Sequence, residues 1–388
     1  MGIRTPGLPT VGAVRIAMIA ETFTPAVNGV VNSVLQVADR LARRGHTPIV
    51  VAPSGADYVS RSGYPIEVVR VPSVTLPGYR QLQVARPMLD LAPVLDRIRP
   101  DVVHLASPVL LGAAGVRAAN ELGLPAVAVY QTDLASFARR YGAGLSAPLI
   151  WSHLRRLHRA ADLTLVPSSA SAAQLAQHGI GPLARWARGV DSTLFNPARR
   201  NEAWREAMAG DRLLVGFVGR LAPEKRVHLL AETSRLPGVQ LVVVGDGPRR
   251  ATLEQALPDA RFTGQLTGAD LGAAMASLDV LVHPGADETF CQVVQEALCA
   301  GVPVVTAAAG GPLDLVRDGE NGLLWRGDDP AALAALVAML RDDPAQRTRL
   351  ALHARPSVVR RTWARVTEEL VGHYLGVIDA RRTLSKAS

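Results

Sequence analysis

Two glutamates, Glu288 and Glu296, stand eight positions apart in a stretch whose residue types could bind hydroxyl groups. Glu288 falls in a loop after an apolar run, 279–284, which predicts a buried strand. Apolar residues recur at helical spacing from Phe290, so Glu296 would lie about two turns inside a helix. The start of that helix suits phosphate oxygens, because its amides are unpaired and its dipole end is positive. An isolated pair of glutamates is more often a helix cap and a solvated side chain.

Two cations, Arg220 and Lys225, stand five positions apart after another apolar run, 213–218. Fixed cations at the end of a strand suit a diphosphate, whose charge must be neutralised when it leaves. The plain alternative is a pair of solvated surface cations. Lys225 argues modestly against that alternative, because the chain has only one other lysine, Lys386.

A third candidate is Gly29, in a loop after the first predicted strand, 14–20. Asn28-Gly29 predicts a turn, and a helix follows from about Val30 to Arg44. A strand, a glycine loop and a helix N-terminus form a phosphate-binding arrangement. An ordinary connection between strand and helix remains open at this point.

The elements that must hold these groups alternate between apolar strands and amphipathic helices. The predicted strands after the first are 47–53, 66–71, 101–105, 125–130, 163–167, 213–218, 239–244, 261–264, 279–284 and 300–306. The predicted helices after the first lie at about 90–98, 111–121, 169–177, 266–276, 290–298, 330–341 and 358–377. This alternation predicts an α/β fold with two successive parallel sheets, each covered on both faces, joined by a linker at 189–197.

The length of 388 residues also favours two domains over one. Ligands of open parallel sheets bind beyond the carboxyl ends of the strands. The unusual loops all follow strands, so we expect them to surround one cleft between the domains. Those loops are 28–29, 131–133, 220–225, 245–248 and the one containing Glu288.

The overall composition limits the kinds of ligand and cellular compartment that we expect for the protein. The formal net charge of +8 favours anionic ligands, but no zinc-finger spacing, RNP-like run or basic helix points to nucleic acid. Cys291 and Cys299 would lie too far apart on one helix for a disulfide, which suits a reducing compartment. We find no apolar stretch long enough to span a bilayer and no secretory signal.

The combined motifs resemble the signature of retaining GT-B glycosyltransferases of family 4. They are 219–225 (GRLAPEK), 244–248 (VGDGP) and Glu288 with Glu296, and the resemblance runs from Val14 to about Val377. Three further segments resemble the GDP-mannose-dependent α-mannosyltransferases of actinobacteria that act on glycolipids, which are close to plant-type sulfolipid synthases. These segments are 21–33 (ETFTPAVNGVVNS), 130–138 (YQTDLASFA) and 288–297 (ETFCQVVQEA).

The resemblance implies a GT-B fold, with two Rossmann-like domains facing across a cleft. We expect a flexible leader at 1–13, an acceptor domain at 14–190 and a nucleotide-sugar donor domain at 198–360. The final segment, 361–388, would form a helix that packs back on the N-terminal domain.

The resemblance also implies roles for individual residues. Gly29 would approach the donor phosphate through its backbone, and Arg220 and Lys225 would bind the diphosphate. Glu288 would bind hydroxyls of the donor sugar, and Glu296 would bind the ribose. Asp133 would lie beside the sugar and the acceptor, which completes a catalytic set with Arg220, Lys225 and Glu288.

The remaining implied contacts are made largely by backbone. The amides of Phe290 and Cys291, next to Thr289, would lie near the donor, and the backbone around Gly264 and Leu266 would meet the base. Many relatives carry His where this chain has Gln131, and many carry Gly where it has Cys291. Cys291 is then most simply a small buried residue at a helix start.

The implied reaction is a retaining, front-face transfer in which the leaving diphosphate accepts the acceptor's proton. The sequence contains no Asp-x-Asp motif, so we expect no metal or other cofactor. The favoured donor is GDP-mannose, and the favoured acceptor is a glycolipid or another lipid-linked acceptor. A UDP-sugar enzyme acting on a cell-wall or natural-product acceptor, and a non-catalytic protein that binds sugar nucleotides, stay open.

A contact with an anionic membrane surface is a further expectation. Within 149–159, Ile150, Leu154 and Leu157 lie on one side of a predicted helix and arginines on another, and Arg139-Arg140-Tyr141 is nearby. An ordinary helix that packs on the core is the alternative. We expect a cytoplasmic protein, and a peripheral position on the inner face of the plasma membrane is compatible with this surface.

Overall fold

The computed structural model describes residues 12–24, 26, 28–53, 58–76, 79–86, 89–136 and 147–387. The described chain forms two compact units. The first unit contains the chain up to Val129, Arg156–Leu165 and the C-terminal segment from Leu370, and the second contains Tyr130–Arg155 and Val166–Glu369. Most of the predicted leader lies outside the described residues. The predicted domain limits stay predictions.

The strands are short and mostly buried. In chain order they are β1 Arg15–Ile19, β2 Thr47–Ala52, β3 Tyr58–Val59, β4 Pro65–Arg70, β5 Ser73–Leu76, β6 Tyr79–Ala85, β7 Val102–Leu105, β8 Ala126–Val129, β9 Leu163–Val166, β10 Leu183–Arg185, β11 Leu213–Val218, β12 Val239–Val244, β13 Arg261–Gly264, β14 Val280–His283, β15 Val304–Ala307 and β16 Gly322–Trp325.

The α-helices separate most of these strands. They are α1 Gly29–Arg43, α2 Ala92–Ile98, α3 Leu111–Glu121, α4 Ala147–Ala160, α5 Ser169–Gln177, α6 Glu202–Ala209, α7 Ala231–Ser234, α8 Arg250–Ala256, α9 Gly268–Ser277, α10 Gln292–Cys299, α11 Pro330–Asp342, α12 Pro344–Val358 and α13 Trp363–Ala387.

The first unit is built on a parallel sheet with β1 near its centre. Its strands run in the order β9-β8-β7-β1-β2-β4-β3, and of these pairs only β3 with β4 is antiparallel. Four of the five β1 residues are buried, as expected for a strand covered on both faces. The order reverses at β1, which pairs with β2 on one side and with β7 on the other.

The second unit contains a six-stranded parallel sheet of order β13-β12-β11-β14-β15-β16. Alternate residues of β11 belong to two different apolar clusters: Leu214 and Val218 to one, Val215 and Phe217 to the other. Because neighbouring side chains of a strand point to opposite faces, the sheet has a core on each face. The strand order reverses between β11 and β14, so the loops that follow these two strands lie side by side.

The C-terminal half of α13 belongs to the first unit, which confirms the predicted return of the last helix to the N-terminal sheet. A buried hydrogen bond joins Tyr374 Oη to His104 Nδ1 on β7 over 2.8 Å. Burial lowers the pKa of His104 to about 4, so the imidazole is neutral at pH 7. Arg381 adds an ion pair of 2.7 Å with Asp162. The Tyr374 hydrogen bond satisfies two polar groups that would otherwise be costly to bury.

The structure corrects several sequence-based limits. The predicted last helix, 358–377, was wrong at both ends, because α12 ends at Val358 and α13 runs from Trp363 to Ala387. The α12 helix was missed: it carries Pro356 inside, and only three of its residues, Leu350, Ala354 and Val358, are buried. A pattern that weak does not stand out from a polar loop. The hairpin of β5 and β6, and strands β3, β10 and β16, were also missed.

Candidate active site

The loops after β11 and β14 carry the central pair of the candidate site. Lys225 ends a short 3-10 turn, Pro223–Lys225, that follows β11. Its ammonium lies 2.5 Å from Oε1 of Glu288, in the loop between β14 and α10. These side chains are only 23% and 15% exposed. The structure therefore brings together two residues that the sequence analysis selected separately.

The electrostatics of this pair keep both groups charged. Burial by itself would raise the pKa of Glu288, but the Lys225 ammonium and a hydrogen bond with His283 hold that pKa well below its ordinary value. Burial likewise opposes the charge of Lys225, but the Glu288 carboxylate outweighs it and raises the Lys225 pKa. At neutral pH the site therefore presents a carboxylate and an ammonium side by side.

His283, the last residue of β14, is a site residue that sequence reasoning did not single out. Its ring is 1% exposed, and its Nε2 lies 3.0 Å from Oε1 of Glu288. The ionised carboxylate can only accept, so Nε2 carries the hydrogen of this bond. Nδ1 is buried and has no partner in the described part of the chain. A polar residue closing an apolar strand was the available signal.

Gly310 and Gly311 pack directly against the backbone of the Glu288 loop. A side chain on Gly310 would begin 2.4 Å from the carbonyl oxygen of Glu288, and one on Gly311 would begin 2.3 Å from the Cα of Phe290. The Gly311 amide donates to the Glu288 carbonyl over 2.7 Å. No larger residue fits at these positions, so the pair of glycines fixes the path of the loop. The sequence analysis did not include this pair.

Cys291 has a positive φ of 73° and precedes the first turn of α10. This left-handed conformation favours glycine, which gives a physical reason for the glycine that many relatives carry here. Its side chain is 4% exposed, and burial raises its pKa well above the ordinary thiol value. Cys291 is thus a small buried residue at a helix start, as expected, and its thiol is protonated at neutral pH.

The helix α10 begins at Gln292, two residues later than the sequence predicted. Glu296 consequently lies about one turn inside the helix instead of two. Burial raises the pKa of Glu296 to about 8, although Gln292 and Arg188 act in the opposite direction. Glu288 and Glu296 therefore differ in protonation at pH 7, because only Glu288 has a cation in contact.

Arg220 and the predicted base-binding residues also lie in the second unit. Arg220 is exposed, and its side chain has no hydrogen bond or ion pair to any residue that the structure describes. The Gly264 carbonyl accepts from the amide of Gly245 over 2.8 Å. Leu266 packs at the edge of an apolar cluster. Arg220 follows β11 and Gly264 ends β13, so both stand at the carboxyl end of the same parallel sheet.

Asp133 occupies a different position from the Lys225 pair. Its carboxylate caps a short turn by accepting from Ser136, with 3.0 Å to the amide and 2.7 Å to the hydroxyl. It also accepts from Nε2 of Gln174 over 2.8 Å. In this arrangement the Asp133 carboxylate is engaged by its own neighbours. Its predicted role beside the sugar stays a prediction.

Gln131 connects this loop to the Glu288 loop and to a buried cation. The Thr289 hydroxyl donates to the Gln131 carbonyl over 2.9 Å. Nη2 of Arg188 donates to the Gln131 side-chain oxygen over 2.6 Å. Burial lowers the pKa of Arg188 to about 10, while Glu288 and Glu296 act to raise it. Arg188 was missed because it lies just before the predicted linker at 189–197, where the sequence carries no motif.

Gly29 lies in the first unit, where it is the first residue of α1. Asn28 caps the helix, since its side-chain oxygen accepts from the amides of Val30 and Val31 over 3.0 and 2.9 Å. The predicted turn is therefore a helix cap, and Gly29 stands at the amide-rich end of the helix. This position is compatible with phosphate binding.

One group of side chains could hold a metal ion among the residues that the structure describes. The ligand atoms of His283, Glu288 and Cys291 all lie within 4.8 Å of one another. The Lys225 ammonium already neutralises Glu288 at this point, and the Cys291 thiol is protonated. We therefore read the group as part of an ion-pair network, and the expectation of a metal-free site stays a prediction.

The helix α4 buries most of its apolar side. Leu154 and Leu157 are 1% and 3% exposed, while Leu149 is 74% exposed. The core-packing alternative thus accounts for the buried side of α4, and Arg139-Arg140-Tyr141 lies outside the described residues. No helix among the described residues is long and apolar enough to cross a membrane.

Comparison with known proteins identifies the family. A family model described as Glycosyltransferase Family 4 matches residues 27–194, and one described as Glycosyl transferases group 1 matches 198–356. The chain is 48% identical to a protein of Mycolicibacterium smegmatis named GDP-mannose-dependent alpha-mannosyltransferase, over 96% of this chain and 100% of that protein. It is 47% identical to a protein of the same name from Mycobacterium tuberculosis, over 95% and 98% of the two chains.

The fold has a solved counterpart. A sucrose-phosphate synthase from Thermosynechococcus elongatus matches with a TM-score of 0.79 and 21% identity, over 97% of this chain and all of that one. This likeness shows the GT-B fold with its two Rossmann-like parallel sheets. The chain is a glycosyltransferase and belongs to glycosyltransferase family 4.

Proposed function

We propose that the protein transfers mannose from GDP-mannose to a glycolipid or lipid-linked acceptor with retention of the anomeric configuration. The observation that carries the donor assignment is the identity of 48% and 47%, over almost the whole chain, to two proteins named as GDP-mannose-dependent mannosyltransferases. The charged pair of Lys225 and Glu288 at the end of two adjacent strands supports a sugar-phosphate ligand there.

In this proposal Lys225 and Arg220 neutralise the diphosphate. Lys225 is pre-positioned by Glu288, whereas Arg220 is exposed and available to a ligand. The Glu288 carboxylate accepts hydrogen bonds from the hydroxyls of mannose. The backbone next to Phe290 and Cys291, at the start of α10, adds amide donors, while Glu296 binds the ribose hydroxyls.

The proposed mechanism is a front-face substitution. The bond between the mannose anomeric carbon and the diphosphate oxygen breaks as the acceptor hydroxyl attacks from the same face. The departing diphosphate oxygen takes the hydroxyl proton, so the chain need not supply a base. Positive charge from Lys225 and Arg220 stabilises the leaving group, which is the task that a divalent metal performs elsewhere.

The nature of the acceptor is the finer part of the proposal. A lipid-linked acceptor would bring the protein to an anionic membrane surface as a peripheral partner. The exposed Leu149 and the arginines Arg156 and Arg159 on the outer side of α4 are compatible with that contact. The buried Leu154 and Leu157 would not take part.

The test is transfer of radioactive mannose from GDP-[14C]mannose to membrane lipids of an actinobacterium. We expect label in a lipid extract, with and without excess EDTA. Label that appears only when Mg2+ or Mn2+ is restored would overturn the metal-free mechanism.

Thermal-shift titrations with GDP-, UDP- and ADP-sugars test which nucleotide base the protein binds, and stabilisation by UDP-sugars alone would overturn the donor assignment. Binding of GDP without hydrolysis or transfer would favour a non-catalytic sugar-nucleotide-binding protein.

A further inference from the structure

Two hydrogen-bond donors of the second unit converge on one oxygen of Glu288. The Lys225 ammonium lies 2.5 Å from Oε1, and Nε2 of His283 lies 3.0 Å from the same atom. A carboxylate oxygen accepts more than one hydrogen bond, so the two contacts coexist. The Glu288 side chain is still 15% exposed, so a ligand can reach the carboxylate while both donors are in place.

The two donors differ in how firmly the chain holds them. Lys225 carries its ammonium on a flexible aliphatic stem and ends a short 3-10 turn. The His283 ring is 1% exposed and lies almost parallel to the Phe217 ring, at an interplanar angle of 8° with the ring centroids 5.9 Å apart. The His283 carbonyl also accepts from the buried Thr306 hydroxyl over 3.1 Å. His283 is therefore the more rigid donor of the two.

The backbone encloses the contact between His283 and Glu288. A side chain on Gly285 would begin 3.0 Å from Nε2 of His283 and 3.5 Å from Oε1 of Glu288. The carbonyl oxygen of Glu224 lies 3.4 Å from the same point. A methyl group at position 285 would press on the ring nitrogen, whereas glycine leaves both atoms of the hydrogen bond undisturbed.

His283 holds its position at an energetic cost. Nε2 carries the hydrogen of the bond to Glu288, because an ionised carboxylate only accepts. The other ring nitrogen, Nδ1, is buried and has no hydrogen-bond partner in the part of the chain that the structure describes. A buried polar atom without a partner destabilises a fold, and a phenyl ring of similar size would avoid that penalty. The polar ring therefore points to a task for Nε2.

Binding of the donor would make the two contacts unequal. In the proposed function Lys225 also binds the diphosphate, which draws the ammonium toward a second anion and weakens its hold on Glu288. The buried His283 ring does not share this second task. When the donor is bound, the orientation of the carboxylate therefore depends mainly on His283.

We propose that His283 is a positioning residue for the transfer reaction and holds the Glu288 carboxylate in the orientation that binds the hydroxyls of the donor sugar. This inference rests on the proposed function. Lys225 then serves both the sugar and the diphosphate, whereas His283 serves the sugar alone. The loss of His283 should affect the use of GDP-mannose and spare the binding of GDP, because GDP carries no sugar hydroxyls for Glu288 to bind.

Three substitutions of His283 separate its hydrogen bond from the space that its ring fills. In His283→Gln the NH2 group is as many bonds from Cα as Nε2 is, so it can still donate to Glu288. In His283→Asn the NH2 group reaches only as far as Nδ1, and His283→Phe fills the space without any donor. We expect kcat/KM for GDP-mannose to fall about tenfold or more in the Asn and Phe variants and to stay within about threefold of the wild type in the Gln variant.

The Phe variant also removes the buried Nδ1, so its thermal midpoint should equal or exceed that of the wild type. A lower kcat/KM in this variant then reports the missing donor and not an unfolded protein. A ring that only fills space predicts wild-type kcat/KM for His283→Phe, and that result would overturn the proposal. Equal losses in the Gln and Phe variants would overturn it as well.

A double-mutant cycle tests whether His283 acts through Glu288. The variant that combines His283→Phe with Glu288→Gln should be no slower than Glu288→Gln alone, and losses that multiply would contradict the proposal. Thr306→Val is the matched control, because it removes a hydrogen bond to the His283 carbonyl and leaves the ring donor intact. It should keep kcat/KM within about threefold of the wild type. A loss as large as that of His283→Phe would assign the effect to packing at the end of β14 and reject the positioning role.

Calorimetric titration of GDP separates this inference from the proposed function. A wild-type protein that neither binds GDP nor transfers mannose from GDP-mannose would defeat the proposed function. If the wild type is active, His283→Phe should bind GDP within about threefold of the wild-type affinity while its kcat/KM for GDP-mannose falls. A loss of GDP affinity as large as the loss of kcat/KM would reject the positioning role and leave the proposed function intact.

Discussion

The Lys225 ammonium and the Glu288 carboxylate lie 2.5 Å apart although 63 positions separate them in the chain. They meet because β11 and β14 are neighbours in the sheet and each residue stands in the loop after its strand. The strand order reverses at this point, which is where open α/β sheets bind their ligands. The pair is therefore a consequence of topology.

Replacing either member should abolish transfer. We expect Lys225→Ala and Glu288→Ala each to lower kcat/KM by more than about 100-fold, because each removes a charge that our proposal assigns to the donor, Lys225 to its diphosphate and Glu288 to its sugar hydroxyls. Circular dichroism should show an intact fold. Arg317→Ala is the control, since Arg317 and Glu320 form an exposed ion pair in the same unit, with side chains 71% and 47% exposed. Near-normal turnover of either site variant would refute the site assignment.

The same pair predicts a specific dependence of stability on pH. The Glu288 pKa is depressed in the folded protein, so its contribution to stability is present above the unfolded pKa of about 4.5 and is lost as the pH falls. Glu288→Gln lacks this contribution and leaves the Lys225 ammonium without its charged partner, which lowers the free energy of unfolding by about 3 kcal/mol. The gap in thermal midpoint between wild type and Glu288→Gln should be full at pH 7 and narrow below about pH 4.5. A gap that stays constant down to pH 3 would contradict this assignment.

Glu296 should show the opposite behaviour. Its folded pKa is raised to about 8, so the wild type loses stability as the pH rises from the unfolded pKa of about 4.5 through 8. Glu296→Gln keeps a neutral group at every pH and escapes this loss. We expect the variant to become progressively more stable than the wild type between about pH 5 and pH 9. Parallel melting curves across that range would show that Glu296 titrates normally.

The ribose role of Glu296 adds a second measurement to the same variant. If Glu296 binds the ribose, Glu296→Gln should bind GDP more weakly even where it is the more stable protein. An ionised carboxylate accepts stronger hydrogen bonds than an amide, so the loss of affinity should be greater at pH 9 than at pH 7. Equal GDP affinity of the two proteins would remove Glu296 from the donor site.

The two cysteines allow a test of backbone strain. Cys291→Gly removes the backbone strain of a left-handed conformation at φ 73°. This gain in stability offsets part of the packing energy that is lost with the cysteine side chain. Cys299→Gly removes an equally buried thiol from the end of α10 without such relief. We expect Cys291→Gly to be less destabilising than Cys299→Gly by about 1–2 kcal/mol, measured by denaturant midpoints. Equal losses would show that the strain at Cys291 is negligible.

Elements with strong apolar patterns were predictable from the sequence. Strands β11, β12 and β13 and helices α3 and α5 have the bounds that the pattern predicted. The α12 helix was not predictable, because only three of its 15 residues are buried and its sequence shows no clear apolar stripe. The start of α10 was misplaced for a related reason, since the left-handed Cys291 interrupts a run of apolar residues that otherwise has helical spacing.

The residues of the candidate site also fall into two groups, those that the sequence selected and those that only the structure revealed. The chain's residue types and their place after strands were enough to select Arg220, Lys225, Glu288 and Glu296 and to indicate a sugar-diphosphate ligand. The contacts of Arg188 and of the glycines at 310 and 311 were beyond sequence reasoning, since each is made with a residue distant in the chain. The contact of His283 with Glu288 spans only five positions, but it depends on the path of the loop after β14.

Local patterns and motifs in the amino-acid sequence were sufficient for the α/β class, the two sheets and the glycosyltransferase family. The tertiary structure alone decided that Lys225 pairs with Glu288, that Glu288 is ionised while Glu296 holds its proton near neutral pH, and that Arg188 donates to the side-chain oxygen of Gln131. The physical reason is that protonation and side-chain orientation depend on burial and on the nearest charge. Both are set by strand order and by loops that meet only in the folded chain.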